Sequence, residues 1–530
     1  MSALDWNFPY ASRRLPVLAR NVVATSQPLA AQAGLRMLLR GGNAVDAAVA
    51  TAITLTVVEP VSNGIGSDAF AMVWDGTRLQ GLNASGRAPA AWTTARFAGR
   101  GAMPDVGWDT VTVPGAVSAW ATLSARYGRL PFATLFEPAI DYARGGFPVS
   151  PVVATKWRNQ SSLLSDQPGF AMAFMPRGRA PEPGEIFSLP ALAETLESIA
   201  ATRGEAFYRG PLADAMVGHA KAHGGALGRS DLDAHEVEWV EPVTIDYRGF
   251  TLHELPPNGQ GVAALMALGI LDHHDLAAYP VDSAASLHLQ IEAMKLAFAD
   301  VYRHVAEPGA MEMEVASLLD PRYLAERSRR IDPARAQLPA AGSLSGGGTV
   351  YLTAADADGM MVSYIQSNYG GFGSGVVVPG TGISLQNRGS GFTLERGHPN
   401  EVGPGKRPFH TIIPAFVTRG GAPVMSFGVM GGTMQPQGHV QIMVRLADHG
   451  QNPQAACDAP RWRVRAGLEL ELEPGVDAAT AAALIGFGHR VVQPDPASYF
   501  DFGAGQFIYK LREGYLAASD PRRDGQAVGF

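Results

Sequence analysis

Thr349 is the residue around which a reaction could be built. It stands where a glycine run (346–348) meets an alternating, strand-like stretch that closes on Asp-Ala-Asp-Gly at 356–359. A threonine hydroxyl is a weak nucleophile and needs a base beside it; by residue pattern alone this one begins a strand after a linker. Other features point toward different chemistry and do not sustain it. GVMGGT (428–433) and GGFGSG (370–375) have the glycine density of phosphate loops, but neither carries their lysine or the full dinucleotide glycine pattern. His273 and His274 are adjacent, which puts them on different faces of any helix or strand and argues against a metal pair. Cys457, the single cysteine, excludes an internal disulfide and a cysteine-built metal site, and reads as a small buried hydrophobe.

The elements that must position Thr349 come from a chain of 530 residues, 46% hydrophobic and 17% charged, enough for two ordinary domains or one large one. A net charge of −7 without a long basic run argues against nucleic acid as a partner. No apolar stretch has the length of a membrane span, and the N-terminal residues lack the pattern of a signal peptide, so the expectation is a cytoplasmic protein with no membrane partner.

Apolar spacing predicts helices over 27–40 and 44–58, the second capped by Asn43 and closed by Pro60. Short strands follow at 69–74 and 78–83, then a mostly helical region from 114 to 200 and a long helix over 287–305. Between about 320 and 348 the composition turns to Arg, Pro, Ala, Gly and Ser, as in a linker or surface loop. Strand signals then dominate at 349–355, 361–366, 376–378, 410–417 and 423–429. Helices return at 437–448 and 478–487, and a strand pair at 506–511 and 514–519 ends the series. Helices, then strands, then helices predict stacked layers of helix and sheet, not a doubly wound parallel sheet.

A series of motifs, in order along the chain, resembles the γ-glutamyltransferase (γ-glutamyltranspeptidase) family of N-terminal nucleophile hydrolases. They are GGNAVDAAVA (41–50), VEPVSNGIG (58–66), VPGA (113–116), EAMKLAFAD (292–300), FGSGVV (372–377), GPGKRP (403–408), the pair Gly431–Gly432, DAPRW (458–462) and ASDPR (518–522). The resemblance implies an α+β fold, the four-layer αββα sandwich, and no metal or cofactor. It also implies a precursor cut between Gly348 and Thr349 into a large fragment, 1–348, and a small one, 349–530, intertwined as an αβ heterodimer that could itself dimerise. Cutting would create nucleophile and base on one residue, since an N-terminal α-amine has an unperturbed pKa of roughly 7.7–8.0. By the same resemblance Thr349 forms an acyl-enzyme that passes to water or an amine, Gly431 and Gly432 supply the oxyanion-binding amides, and Ser367 steadies the nucleophile.

The substrate positions depart from the family pattern. Its carboxylate-binding arginine aligns with Ser85, with Arg87 two residues on, and its serine pair aligns with His410 and Thr411. Its acidic acceptor of the substrate amine aligns with Gly391, the neighbouring glutamine with Arg388, and its asparagine with Tyr369, next to Asn368. Donors remain (Arg87, Arg388, His410, Thr411) and the anionic acceptor is gone, so the expected partner is a small acidic amide whose acyl group lacks an α-amine. SNYGGFGSG (367–375), GTGISLQNRG (380–389) and RPFHTIIP (407–414) resemble the branch that includes cephalosporin acylases and oxamate amidohydrolases. Arg87 and Arg388 could instead form internal ion pairs. The loop over 393–402 is short, which predicts an open cleft. Beside a γ-glutamyl hydrolase or transferase acting on amides such as glutathione, an acidic-amide acylase, an inactive binding protein and a nucleotide enzyme remain alternatives at this point.

Overall fold

Asn43 starts a helix that is buried along its whole length. Its side chain accepts from the amides of Val45 and Asp46 while Asp46 reaches back to the Asn43 amide, and all fifteen residues of the helix Ala44–Val58 are buried. A helix apolar all round belongs inside a protein, and this one lies between the helix Pro28–Leu39 and a sheet. The computed structural model describes residues 14–338, 348–494 and 501–530; Gly346, Gly347 and the rest of 339–347 lie outside the described residues.

Two seven-stranded sheets form the middle of the molecule. The first runs, strand by strand, Gln526–Gly529, Val22–Thr25, Gly348–Ala355, Met361–Tyr369, Asp68–Trp74, Leu79–Asn83, Glu238–Val240. The second runs Val17–Ala19, Tyr515–Ser519, Gly505–Lys510, Ala422–Val429, Ala415–Arg419, Phe250–Glu254, Val243–Tyr247. Alternation along Gly348–Ala355 assigns its two faces. Val350, Leu352 and Ala354 join the apolar cluster under the helices, and Tyr351 and Ala355 join the cluster between the sheets. The second sheet is covered on its far side by the helices Gly261–Leu271 and Met434–Ala447, and Ala284–His304 packs on both. The result is the αββα sandwich expected from the resemblance, and both sheets contain strands from before and after residue 349.

The expected helices are present, Ala44–Val58 with the expected bounds and the long one as Ala284–His304. The expected linker from 320 is a helix in its first part. Asp320 caps Pro321–Ser328, whose Arg327 is buried against Asp300 at 2.7 Å. The strand expected over 410–417 begins only at Ala415, because Asn258 and Gln260 hydrogen-bond the backbone of His410. Among the described residues no helix is long and apolar enough to cross a membrane.

Candidate active site

The turn at 356–359 sets the register of the Thr349 hairpin. Asp356 Oδ2 accepts from the Ala44 amide at 2.8 Å, and its Oδ1 accepts from the amides of Asp358 and Met360 at 3.0 and 3.1 Å. At the far end the ladder is irregular. Gly348 faces Tyr369 and Val350 faces Gln366, so Thr349 alone stands opposite both Ser367 and Asn368. Such a bulge re-aims a side chain locally, and here Thr349 Oγ1 donates to Ser367 Oγ at 3.3 Å. Ser367 Oγ also accepts from the Tyr369 amide at 2.8 Å, and Tyr369 takes the φ of +77° that closes the bulge.

The packing of the two sheets determines what lies above Thr349. Thr353 Oγ1 meets Ser426 Oγ at 2.6 Å, and the Tyr351 ring fills the space a side chain at Gly428 would need. Stepping two residues per side chain in opposite directions, Thr349 comes over the end of the strand Ala422–Val429, where Met430, Gly431 and Gly432 turn into the helix Met434–Ala447. Gly431 and Gly432 have φ of +117° and +60°, conformations that favour glycine. Among the described residues neither amide donates within the chain, while Met434 and Gln435 bond back to their carbonyls. Two free amides at a helix start suit a developing oxyanion.

Tyr369 leads from the bulge to a buried cation. Its ring lies 4.6 Å from the Arg388 guanidinium, which is 1% exposed and donates through Nη1 to Thr411 Oγ1 at 2.8 Å. Among the described residues Arg388 Nε and Nη2 have no partner. Burial pulls its pKa down to about 10, so it stays charged at neutral pH.

Next to Thr411, His410 Nδ1 accepts from the Ile412 amide at 3.4 Å, which leaves the proton on Nε2, 3.2 Å from Asp68 Oδ2. Burial, with Arg388 and Arg407 nearby, holds the imidazole well below its usual pKa and therefore neutral. Asp68 stands directly across the ladder from Ser367. Its Oδ1 accepts from the amides of Gly86 and Gly115 at 3.2 Å each. At Gly115 a Cβ would fall 1.5 Å from the Ala84 carbonyl oxygen, which accounts for the glycine of VPGA. Burial raises Asp68 to about 7 against the opposing pull of Arg388 and these amides.

Thr349, Ser367, Tyr369, Arg388, His410 and Thr411 are thus joined by consecutive contacts, and sheet packing adds Gly431 and Gly432. Two other expected residues face elsewhere. Asn368 points to the helical side, accepting from Ser67 Oγ at 2.7 Å and donating to Ser384 Oγ at 3.4 Å. Arg87 is engaged by Glu307, by Glu238 at 3.5 Å and by the Gly405 carbonyl at 3.0 Å, on the wall of a separate cleft of about 340 Å³. Arg87 forms the ion pairs that were one reading of both arginines; Arg388 forms none among the described residues. Thr349 is 2% exposed, and the 393–402 loop is held down by Asn400, which donates to the Gly391 carbonyl at 2.7 Å and accepts from the Phe409 amide at 2.9 Å.

Asp68 was missed by sequence reasoning. It lies two residues past the end of VEPVSNGIG and reads as a turn residue, and its partner His410 is 342 residues away. His288, Glu292 and His489 bring three metal-type donor atoms within 4.8 Å of one another, but the cation at that place is the Lys295 ammonium, 2.5 Å from Glu292 Oε1.

Known proteins resemble the chain along nearly its whole length. The family model for gamma-glutamyltranspeptidase matches residues 30–530. The glutathione hydrolase-like YwrD proenzyme of Bacillus subtilis is 39% identical over 522 residues, covering 96% of this chain and 98% of that protein. The oxamate amidohydrolase proenzyme of Klebsiella pneumoniae is 36% identical over 516 residues, 95% and 97% of the two chains. The crystal structure of a cephalosporin acylase from Bacillus halodurans superposes with a TM-score of 0.95 at 49% identity, covering 100% of this chain and 99% of that one.

Proposed function

From the premise that this chain belongs to the gamma-glutamyltranspeptidase family, we propose that it cuts itself before Thr349 and then hydrolyses amides of acid-bearing acyl groups through a threonyl ester. In the cut, Thr349 Oγ1 attacks the Gly348 carbonyl carbon, the Gly348–Thr349 C–N bond breaks, and the ester formed is hydrolysed by water. The freed α-amine becomes the base. It takes the Thr349 hydroxyl proton as Oγ1 attacks the substrate carbonyl and returns a proton to the departing amine. Gly431 and Gly432 receive the oxyanion, Ser367 holds Oγ1, and water or a second amine takes the acyl group from Thr349.

The observation that carries the substrate reading is Arg388, a buried cation with two unused donors one aromatic ring away from the nucleophile's bulge. A carboxylate on the acyl chain would satisfy both donors. Asp68, the carboxylate in this chain of contacts, offers an α-ammonium no free oxygen, since both are already taken by Gly86, Gly115 and His410. This favours glutaryl-type or oxamate-type amides over γ-glutamyl ones; oxamate, named for one relative, is itself an amide bearing a carboxylate.

On a denaturing gel the wild-type protein should give two fragments, the smaller starting at Thr-Val-Tyr-Leu-Thr by N-terminal sequencing, and Thr349→Ala should give one intact chain. Rates on glutaryl-p-nitroanilide, oxamate and γ-glutamyl-p-nitroanilide then test the pocket. Activity on the γ-glutamyl compound alone would refute the substrate reading.

A further inference from the structure

One buried side chain connects the two halves of the site, and the reaction as described above does not use it. Gln260, fully buried, donates its amide nitrogen to the carbonyl of Thr411 at 2.6 Å and to the carbonyl of Gly432 at 2.9 Å. Thr411 is the residue whose hydroxyl receives Arg388 Nη1. Gly432 is half of the oxyanion turn. Gln260 itself cannot drift, because its backbone amide donates to the His410 carbonyl at 3.0 Å. A second glutamine parallels it: Gln435, one residue into the helix after the turn, accepts from the Ile413 amide at 2.9 Å.

These bonds fasten the segment 411–413 to the segment 432–435 at two places. Among the described residues Gln260 Oε1 is buried without a partner, a cost an apolar side chain of the same shape would avoid. The residue therefore contributes its two donors and not merely its volume.

We infer that Gln260 is a positioning residue that sets the acyl length: it fixes how far the carboxylate-binding guanidinium stands from the oxyanion turn. This rests on the acidic-acyl reading above. An ω-carboxyacyl group has its carboxylate on Arg388 and its reacting carbonyl oxygen at Gly431–Gly432, so the separation of those two groups selects a chain length. A strut held at both ends makes that selection sharp, and cutting it lets the two groups shift relative to each other.

The test compares p-nitroanilides of succinate, glutarate and adipate with the uncharged pentanoyl-p-nitroanilide on the processed enzyme. The wild type should prefer one acid length at least tenfold in kcat/KM. In Gln260→Met that preference should shrink about tenfold, two lost hydrogen bonds at roughly threefold each. The pentanoyl compound, which uses the turn but not the guanidinium, should change less than threefold. Gln260→Glu keeps the shape with at most one donor and should lie between the two, which covers the case in which Gln260→Met does not fold. All four substrates falling together, or an unchanged length preference, would overturn the strut while leaving the acidic-acyl reading intact. A wild type that hydrolyses none of the three acids overturns that reading, and the strut with it.

Discussion

Arg388→Met isolates the step that decides the substrate. The methionine keeps most of the aliphatic volume beneath Tyr369 and removes a buried charge that has a hydroxyl, an aromatic face and, among the described residues, no ion pair around it. A hydrogen bond to a charged group is worth about 1.5–3 kcal/mol. Losing two to a bound carboxylate costs about 3 kcal/mol at the low end, about 100-fold or more in kcat/KM at 1.36 kcal/mol per decade. The assay is glutaryl-p-nitroanilide against pentanoyl-p-nitroanilide, nearly the same shape without the carboxylate. The variant should lose the glutaryl rate and keep the pentanoyl rate within about fivefold. Stability should move the other way. A buried cation that makes no ion pair among the described residues and feels Asp68 only at longer range is a burden in the free enzyme, so the melting temperature of Arg388→Met should equal or exceed that of the wild type. Equal loss on both substrates together with a lower melting temperature would refute the reasoning, since Arg388 would then be a structural residue.

Asp68→Asn tests the carboxyl behind His410. A folded pKa raised from 3.8 to about 7 gives a stability contribution that is full below about pH 4 and lost as pH rises through 7. The melting temperature of the wild type relative to Asp68→Asn should therefore fall between pH 4 and pH 8, by an amount worth on the order of 4 kcal/mol; a parallel pair of curves would contradict it. Gly431→Ala keeps the amide but pushes it off the oxyanion position, and should lose up to about 100- to 1000-fold in kcat, the worth of one oxyanion donor at about 2.7–4 kcal/mol. Its φ of +117° disfavours a side chain, and the added Cβ would meet Gly503 Cα at 3.0 Å. A rise in KM at unchanged kcat would place the turn in substrate binding instead.

Elements with strong local signals were legible in the sequence. Ala44–Val58 has a cap, a continuous apolar body and a proline stop, so its bounds need no tertiary information. The strands Val17–Ala19, Val22–Thr25 and Gln526–Gly529 carry too few residues for a period to show; they exist because neighbouring strands leave ladder groups open. The opposition of Thr349 and Ser367 could be read from a hairpin of known turn. The site's electrostatics could not. Arg87 and Arg388 look alike in sequence, and only the placement of Glu307 and Glu238 shows which cation is already neutralised. Asn368 was lost to alternation, since the residue after an inward-facing Ser367 must face the other way.

The interleaved strand order has a consequence for the history of each molecule. Gly348–Ala355 lies between Val22–Thr25 and Met361–Tyr369, and both sheets draw strands from either side of residue 349. On the proposed cut, the pairing that placed Thr349 is formed while the halves are still one polymer and their encounter costs only loop closure. Afterwards the same pairing is an association of two chains, with the concentration dependence and entropy cost that brings. The mature enzyme would thus sit in a state it can reach from its precursor and not readily from its own denatured parts. Its durability would be set by how slowly it opens, and each copy would fold once.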